Sequence, residues 1–260
     1  MTTERFHLGQ AEVLVGADPD ETIRIAAGQF AALARKVATE GNPLHVALSG
    51  GSTPRRLFQT LAAEPFAGLI PWGGIHFFWA DERNVPPGHP DSNYSVARQL
   101  LLSQLPVPPA NIHRIPTGDG TAIEAAELYQ RTLRELLPIE NGLPRLDYVL
   151  LGLGANAHTA SLFPHRPTLH EQQRLVVADH VDEVNSWRVT LTAPLLNNAA
   201  QITFLVIGED KADAVQQVLE GPRDSEAAPA QLIAPAHGSL TWIFDAAAAA
   251  HLSRPAHSSA

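Results

Sequence analysis

The stretch LDYVLLGLGANAHTASLFP, residues 146–164, joins an apolar run to a loop with two glycines, a histidine, two hydroxyl side chains and a proline. The apolar run predicts a buried strand, after which the glycines allow a sharp turn. We expect this turn to place His158 at the start of a short helix, beside Thr159 and Ser161. A neutral imidazole there can accept a proton from water, and the positive helix end disfavours its protonation. In the alternative interpretation, His158 only caps the helix or bonds a core carbonyl.

Six further apolar or β-branched runs predict strands on either side of this stretch. They are AEVLVGA (11–17), LHVALSG (44–50), IHFFWAD (75–81), RLVVAD (174–179), WRVTLT (187–192) and QITFLVIG (201–208). Amphipathic segments separate these runs. The alternation predicts an α/β fold, with a mostly parallel sheet and helices on both faces.

Two of the intervening helices carry clear start signals. Asp18 followed by Pro19 is typical of an N-cap and a first helical residue. The sequence TAIE, residues 121–124, predicts a capping box, and we expect Leu128 and Leu136 of that helix to face inward.

The chain shows no internal repeat and no long linker, so the sequence predicts one domain over residues 1–250. A smaller lobe is expected near residues 165–200. The polar ending, residues 251–260, is expected to be a disordered tail.

The composition of the chain excludes several kinds of functional site and partner. The 260 residues include no cysteine, which excludes disulfides, thiolate metal sites and cysteine nucleophiles. The net charge of −9, with both signs interspersed, argues against nucleic-acid and membrane partners. The charged opening resembles no signal peptide and no apolar run is long enough to span a membrane, so a cytoplasmic location is expected.

The glycine-rich stretch LSGGSTPRRLF, residues 48–58, is the first further candidate for chemistry. Thr53 can cap a helix and Pro54 can start it, which would aim backbone N–H groups at a concavity suited to phosphate. The loop residues involved are Gly50, Gly51, Ser52 and Thr53. A tight structural turn explains the same pattern, because the lysine of a nucleotide-binding P-loop is missing.

The second further candidate for chemistry is Asp81-Glu82-Arg83, which follows the aromatic strand FFWA directly. Three charges at the end of a buried strand are costly unless they are paired or face a ligand crevice. An ion pair of Asp81 with Arg83 or Arg98 is the structural alternative.

Taken together, five stretches resemble the 6-phosphogluconolactonase family, in chain order from about Val46 to Ala249. They are LSGGSTP, WADERNVPPGHPDSNY, LGLGANAHTASLFP, RVTLTAPLLNNAAQITFLVIGEDKADAV and PAQLIAPAHGSLTWIFDAAAA. The resemblance implies a Rossmann-like fold shared with glucosamine-6-phosphate deaminase. It also implies hydrolysis of 6-phospho-D-glucono-1,5-lactone to 6-phosphogluconate in the pentose phosphate pathway, with no cofactor and no metal.

The resemblance also implies roles for individual residues. His158 is the expected catalytic histidine, activating water and returning a proton to the leaving ring oxygen. No G-x-S-x-G nucleophile motif is present, which favours direct attack by water. Asn156, Asp81 and Arg83 complete the expected catalytic set, and Arg83 could serve either the phosphate or the lactone end. Arg188, with the loop 50–53, is expected to bind the phosphate; the protein itself is expected to be a monomer or small homo-oligomer.

Two positions depart from the family pattern, which has aspartate and glycine where this chain has Asn156 and Ala157. Asparagine retains a hydrogen bond to the histidine but loses the negative field. If the glycine position has a positive φ, alanine there costs about 1–2 kcal/mol. These departures predict reduced activity or an altered substrate.

Two alternatives remain. Glucosamine-6-phosphate deaminase resembles the chain in all three loops, but its histidine loop continues with a carboxylate where this chain has Leu162 and Phe163. A phosphosugar-sensing module would share the fold, although the chain lacks the basic recognition helix of such repressors.

Overall fold

The computed structural model describes residues 3–253, which contain twelve strands. These are β1 (Glu4–Leu8), β2 (Ala11–Gly16), β3 (Leu44–Leu48), β4 (Ile75–Trp79), β5 (Asp81–Arg83), β6 (Ile139–Glu140), β7 (Leu143–Pro144), β8 (Tyr148–Leu151), β9 (Val176–Val181), β10 (Ser186–Leu191), β11 (Gln201–Val206) and β12 (Ser239–Asp245). Seven of them form the central sheet, in the order β1-β2-β12-β11-β8-β3-β4. All neighbours in that sheet are parallel except β1 and β2.

This mixed α/β architecture confirms the predicted fold class. The central strands are buried on both faces, as is typical of parallel sheets covered by helices. The edge strand β1 was not predicted, because its residues ERFHL alternate between partly exposed and exposed positions and form no apolar run.

The order of the strands creates a crevice between β3 and β8. After β3 the chain moves outward to β4, whereas after β8 it moves the other way, to β11 and β12. Loops that leave two adjacent parallel strands in opposite directions open a gap at their carboxyl ends, which is where α/β proteins bind ligands.

Seven α-helices lie in the described residues: α1 (Pro19–Thr39), α2 (Ser52–Leu61), α3 (Phe66–Leu69), α4 (Asn93–Ala97), α5 (Ala122–Leu136), α6 (Ala193–Asn197) and α7 (Ala212–Leu219). The predicted start of α1 is confirmed, since the Asp18 side chain accepts a hydrogen bond from the Glu21 backbone N–H at 2.8 Å. Within residues 3–253, no helix has both the length and the apolarity to cross a membrane.

The capping box of α5 is confirmed, but the predicted inward face is wrong. Thr121 and Glu124 bond each other reciprocally at the start of the helix. Leu128 and Leu136 are 46% and 43% exposed. The buried stripe instead comprises Ala122, Ala125, Ala126, Tyr129 and Leu133. Its position is fixed by the Tyr129 hydroxyl, which bonds the Trp79 backbone in the sheet.

β9 and β10, within residues 165–200, form a three-stranded antiparallel sheet with β5 in the order β5-β10-β9, and whether this sheet is a separate lobe stays a prediction. It places β5 beside β10, so that Arg83 lies opposite Arg188. Of the expected disordered tail, residues 254–260 lie outside the described residues. The expectation is wrong for residues 251–253, since Leu252 is buried and the Ser253 N–H donates to Glu220.

Candidate active site

A cleft of about 230 Å³ opens at the carboxyl ends of four parallel strands, at the crevice between β3 and β8. Its lining comprises residues 49–54 after β3, Asp81, Arg83 and Asn93 after β4, residues 152–154 and 158–160 after β8, and residues 205–207 and Lys211 at the end of β11. The three loops singled out from the sequence therefore meet in one place.

The glycine-rich loop brings the N-terminus of α2 to the cleft. Gly51 is the N-cap, with a φ of 106° that favours glycine. The helix begins at Ser52, so the prediction that Thr53 caps it and Pro54 starts it is wrong by two residues. Because no side chain caps this end, backbone donors of the first turn remain open to an anion.

Asn93 connects the glycine loop to Asp81. Its side-chain amide donates to the Asp81 backbone carbonyl at 2.9 Å and to the Asp81 carboxylate at 3.3 Å. A side chain at Gly50 would overlap the same amide, so only glycine allows this approach. Asp81 is thereby fixed against the glycine-rich loop.

The Asp81 carboxylate is 6% exposed and is held by neutral donors. Besides Asn93, the Ser161 hydroxyl donates to it at 2.7 Å. No ion pair joins Asp81 to Arg83 or Arg98 in the described part of the chain, so the ion-pair alternative is wrong. The antiparallel pairing of β5 with β10 explains this, because it places Arg83 beside Arg188 instead.

Arg83 and Arg188 form a pair of neighbouring cations. Arg83 Nη1 donates to the Asp91 carbonyl at 2.7 Å, and the Nε atoms of both arginines are buried without a partner in the described residues. Burial and the charge of Arg83 lower the pKa of Arg188. Arg83 lines the cleft, whereas Arg188 lies on the adjacent strand and is not part of the lining.

His158 lies in a loop and not at the start of a helix, so that prediction is wrong. Residues 152–166 contain no helix, and Ala157 and Ala160 have φ values of 59° and 48°, which interrupt helical geometry. The imidazole stacks on Phe163 with ring centroids 4.2 Å apart, and a side chain at Gly154 would overlap it. The ring is therefore fixed on two sides.

Asn156 sets the tautomer of this imidazole. Its Oδ1 lies 2.5 Å from His158 Nδ1 and 3.4 Å from the His158 backbone nitrogen. An amide oxygen can only accept, so Nδ1 carries the hydrogen and Nε2 keeps its lone pair. In this form His158 can act as a base through Nε2.

The surroundings of His158 keep it neutral. Burial lowers its pKa to about 4; the Asp81 carboxylate opposes this shift, while Lys211, Arg188 and Arg83 add to it. The positive helix end invoked from the sequence is absent, and desolvation with nearby cations takes its place. At neutral pH the imidazole is free to accept a proton.

Ala157, which stands where the family pattern has glycine, has a backbone conformation that favours glycine. Its φ of 59° lies in the left-handed region, and its side chain is fully buried. The Ala157 carbonyl accepts from the Ala230 N–H at 3.0 Å, which anchors the loop to the body of the protein. The strained backbone is thus retained by packing and hydrogen bonding.

Two residues that complete the site, Lys211 and Asn93, were not named from the sequence, and Ser161 was expected beside His158 but without its bond to Asp81. Lys211 lines the cleft beyond β11, and Asn93 and Ser161 hold Asp81. Lys211 had a detectable signal, because it follows Gly208 in a turn at the end of a predicted strand. Within residues 3–253, no group of three His, Asp or Glu side chains is placed to hold a metal ion.

Comparison with protein families gives a match over most of the chain. The model of the family described as glucosamine-6-phosphate isomerases/6-phosphogluconolactonase matches residues 17–242. The chain is 43% identical over 209 residues to a 6-phosphogluconolactonase of Nostoc sp., covering 80% of this chain and 84% of the relative. It is 40% identical over 207 residues to that of Haemophilus influenzae, covering 80% and 87%.

Solved structures agree with this match. The 6-phosphogluconolactonase of Trypanosoma brucei superposes with a TM-score of 0.83 at 29% identity, covering 93% of this chain and 98% of the other. A monomeric glucosamine-6-phosphate deaminase superposes with a TM-score of 0.76 at 21% identity, covering 92% and 99%, which shows a shared fold alone.

Proposed function

Because the chain belongs to the family of glucosamine-6-phosphate isomerases and 6-phosphogluconolactonases, we propose that it hydrolyses 6-phospho-D-glucono-1,5-lactone to 6-phosphogluconate, a step of the pentose phosphate pathway. The observation that carries this proposal is a neutral histidine in a cleft that is also lined by Arg83, which forms no ion pair within the described residues. Lys211 lines the same cleft and pairs with Asp210 at 3.0 Å. A lactone is a cyclic ester, and its opening by water requires a base and a stabilised oxyanion.

The charges of the cleft suit a phosphorylated substrate. The protein carries a net charge of −9, yet Arg83 and Lys211 line the cleft and Arg188 adjoins it. The open N-terminus of α2 adds backbone donors of the kind that bind phosphate. We assign the phosphate to residues 50–53 with Arg188, as the family pattern suggests; Lys211 is a further cation within the same cleft.

His158 acts first as base and then as acid. Nε2 takes a proton from water as the water oxygen bonds to the lactone carbonyl carbon, whose oxygen becomes an oxyanion. Arg83 stabilises that charge, since it lines the cleft and forms no ion pair among the described residues. The carbonyl re-forms, the bond to the ring oxygen breaks, and the imidazolium gives its proton to that oxygen.

Asp81 and Asn156 support the histidine in different ways. Asn156 orients the ring and fixes its tautomer through Nδ1. The charge of Asp81 raises the pKa of His158 against the effect of burial, and so stabilises the imidazolium formed during the reaction. Neither group forms a bond with the substrate in this proposal.

The proposal is tested by measuring lactone opening with the purified protein, corrected for the spontaneous reaction, beside ammonia release from glucosamine 6-phosphate. We expect the first activity and not the second, because Phe163 packs on the histidine where the deaminase pattern has a carboxylate. Binding of 6-phosphogluconate without any lactone turnover would instead identify a phosphosugar-binding module. The cytoplasmic location and the monomeric or small homo-oligomeric state stay predictions.

A further inference from the structure

Glu82 is a buried carboxylate that lies beside the cleft without lining it. It is 1% exposed and lies between Asp81 and Arg83 in β5. Its two oxygens accept four hydrogen bonds: from the Arg83 N–H at 2.8 Å, the Asn93 N–H at 2.7 Å, the Ser92 hydroxyl at 3.0 Å and the Tyr94 N–H at 2.9 Å. Every acceptor position of the carboxylate is therefore used.

These four bonds join the two ends of one loop. One donor belongs to Arg83, just before residues 84–91, and the other three belong to residues 92–94, just after them. Glu82 thus closes the loop at its base and fixes the start of α4 against β5.

Two contacts lead from this closed base into the cleft. The Asp91 carbonyl accepts from Arg83 Nη1, and the Asn93 side chain donates to Asp81. Asn93 also packs on Gly50, as described above. The placement of an arginine, a carboxylate and the glycine loop therefore depends on where residues 91–93 lie.

We propose that Glu82 is a positioning residue of the lactone-opening site, acting on Arg83 through Asp91 and on Asp81 through Asn93. This inference rests on the proposed function. It assigns no contact with the substrate to Glu82. This role requires that both side-chain oxygens of Glu82 accept hydrogen bonds. Glutamine has only one such oxygen, and its amide nitrogen would face N–H or O–H donors.

Glu82→Gln tests the proposal against a matched control, Asp147→Asn. Asp147 accepts two hydrogen bonds from His45 just before β8, at the opposite end of the strands from the cleft. At a temperature where both variants are folded, we expect Glu82→Gln to lower kcat/KM about 10- to 100-fold, the loss typical of a small misplacement of reacting groups. Its affinity for 6-phosphogluconate should also fall, whereas Asp147→Asn should keep both values within about twofold of the parent.

A double-mutant cycle separates positioning from general loss of stability. Asn93→Ala removes the contact that links residues 91–93 to Asp81, so Glu82→Gln should cost less in kcat/KM in that background than alone. Fully additive losses would overturn the proposal, as would a folded Glu82→Gln protein with the parent's kcat/KM and affinity.

If Glu82→Gln does not fold, Ser92→Ala takes its place, since it removes one of the four donors and leaves the charge. A loss of about three- to tenfold in kcat/KM supports the proposal, and an unchanged value overturns it. If the parent protein binds 6-phosphogluconate but opens no lactone, the proposed function fails, and the affinities of the same variants decide the role of Glu82.

Discussion

At the scale of single residues, the protonation of His158 decides what the cleft can do. Its pKa of about 4 keeps the ring neutral at physiological pH, and Asn156 places the hydrogen on Nδ1. An asparagine orients the ring as an aspartate would, but it adds no negative charge to stabilise the imidazolium. The departure from the family pattern thus changes the electrostatics of the base more than its geometry.

Asn156→Asp should move the acidic limb of the kcat/KM profile to higher pH. A carboxylate beside His158 favours the charged ring and raises its pKa, so the neutral base is lost at a higher pH as the solution is acidified. The measurement is kcat/KM between pH 4 and 8 for both proteins, with Asn185→Asp as a control that adds the same charge at an exposed turn. Coincident acidic limbs for Asn156→Asp and the parent would show that residue 156 is not coupled electrostatically to His158.

At the scale of elements, the sequence predicted features that depend on neighbouring residues, such as the start of α1. It did not predict features that depend on contacts between distant segments. The start of α1 at Asp18 depends on residues three positions apart, and the sequence displays them directly. The inward face of α5 depends on Tyr129 reaching Trp79, a contact 50 residues away in sequence, so the pattern misplaced Leu128. The glycines predicted a turn leading into a short helix at His158; the turn is present, but the positive φ values of Ala157 and Ala160 interrupt helical geometry after it.

In the candidate site, too, the positions of the loops were predictable from the sequence, whereas the contacts between distant segments were not. Its loops were found because each follows a recognisable strand, and the ends of parallel strands meet at one edge of a sheet. The pairing of Arg83 with Arg188 and the bond from Ser161 to Asp81 depend on the register of distant segments. No local pattern contains that register, so these contacts could be obtained only from the folded chain.

The proposed assignment of the substrate phosphate to Arg188 on β10 predicts a selective effect of Arg188→Ala. Affinity for 6-phosphogluconate should fall by about 1.5–3 kcal/mol through loss of charge-assisted bonds, with little change for an unphosphorylated lactone. Titration calorimetry and KM values provide the comparison, and Arg56→Ala, which removes an exposed arginine paired with Asp20, is the control. Equal losses for both ligands would mean that Arg188 is structural or contacts another part of the sugar.

At the scale of the whole molecule, histidines occur at both ends of the central sheet. At one end a histidine lines the candidate site, and at the other end three histidines form a cluster away from it. His158 lies at the carboxyl ends of the strands, whereas His45, His76 and His113 cluster near the amino ends of β3 and β4. His76 Nδ1 lies 3.1 Å from His113 Nε2, and His45 bonds Asp147. Burial and the neighbouring histidines lower the pKa of His113 to about 4, and burial together with His45 lowers that of His76.

This cluster predicts a loss of stability in mild acid. Because the pKa values of His76 and His113 are lower in the folded protein than in the unfolded chain, the unfolded chain binds more protons as the pH falls from about 6.5 to 4, and the free energy of unfolding decreases. His113→Phe keeps a ring against Phe78 but cannot be protonated, so its urea midpoint should fall less between pH 7 and pH 5 than that of the parent. Parallel decreases in the two proteins would contradict this account.

The role of His158 as the base that opens the lactone is tested by the rate of 6-phosphogluconolactone hydrolysis in His158→Asn, corrected for the spontaneous reaction. Loss of a general base typically lowers the rate 10²- to 10⁴-fold, or about 3–5 kcal/mol in barrier height. We expect a loss in this range while 6-phosphogluconate still binds, because residues 50–53 and the cations, to which we assign the phosphate, remain. Near-parental turnover by a folded His158→Asn protein would contradict it.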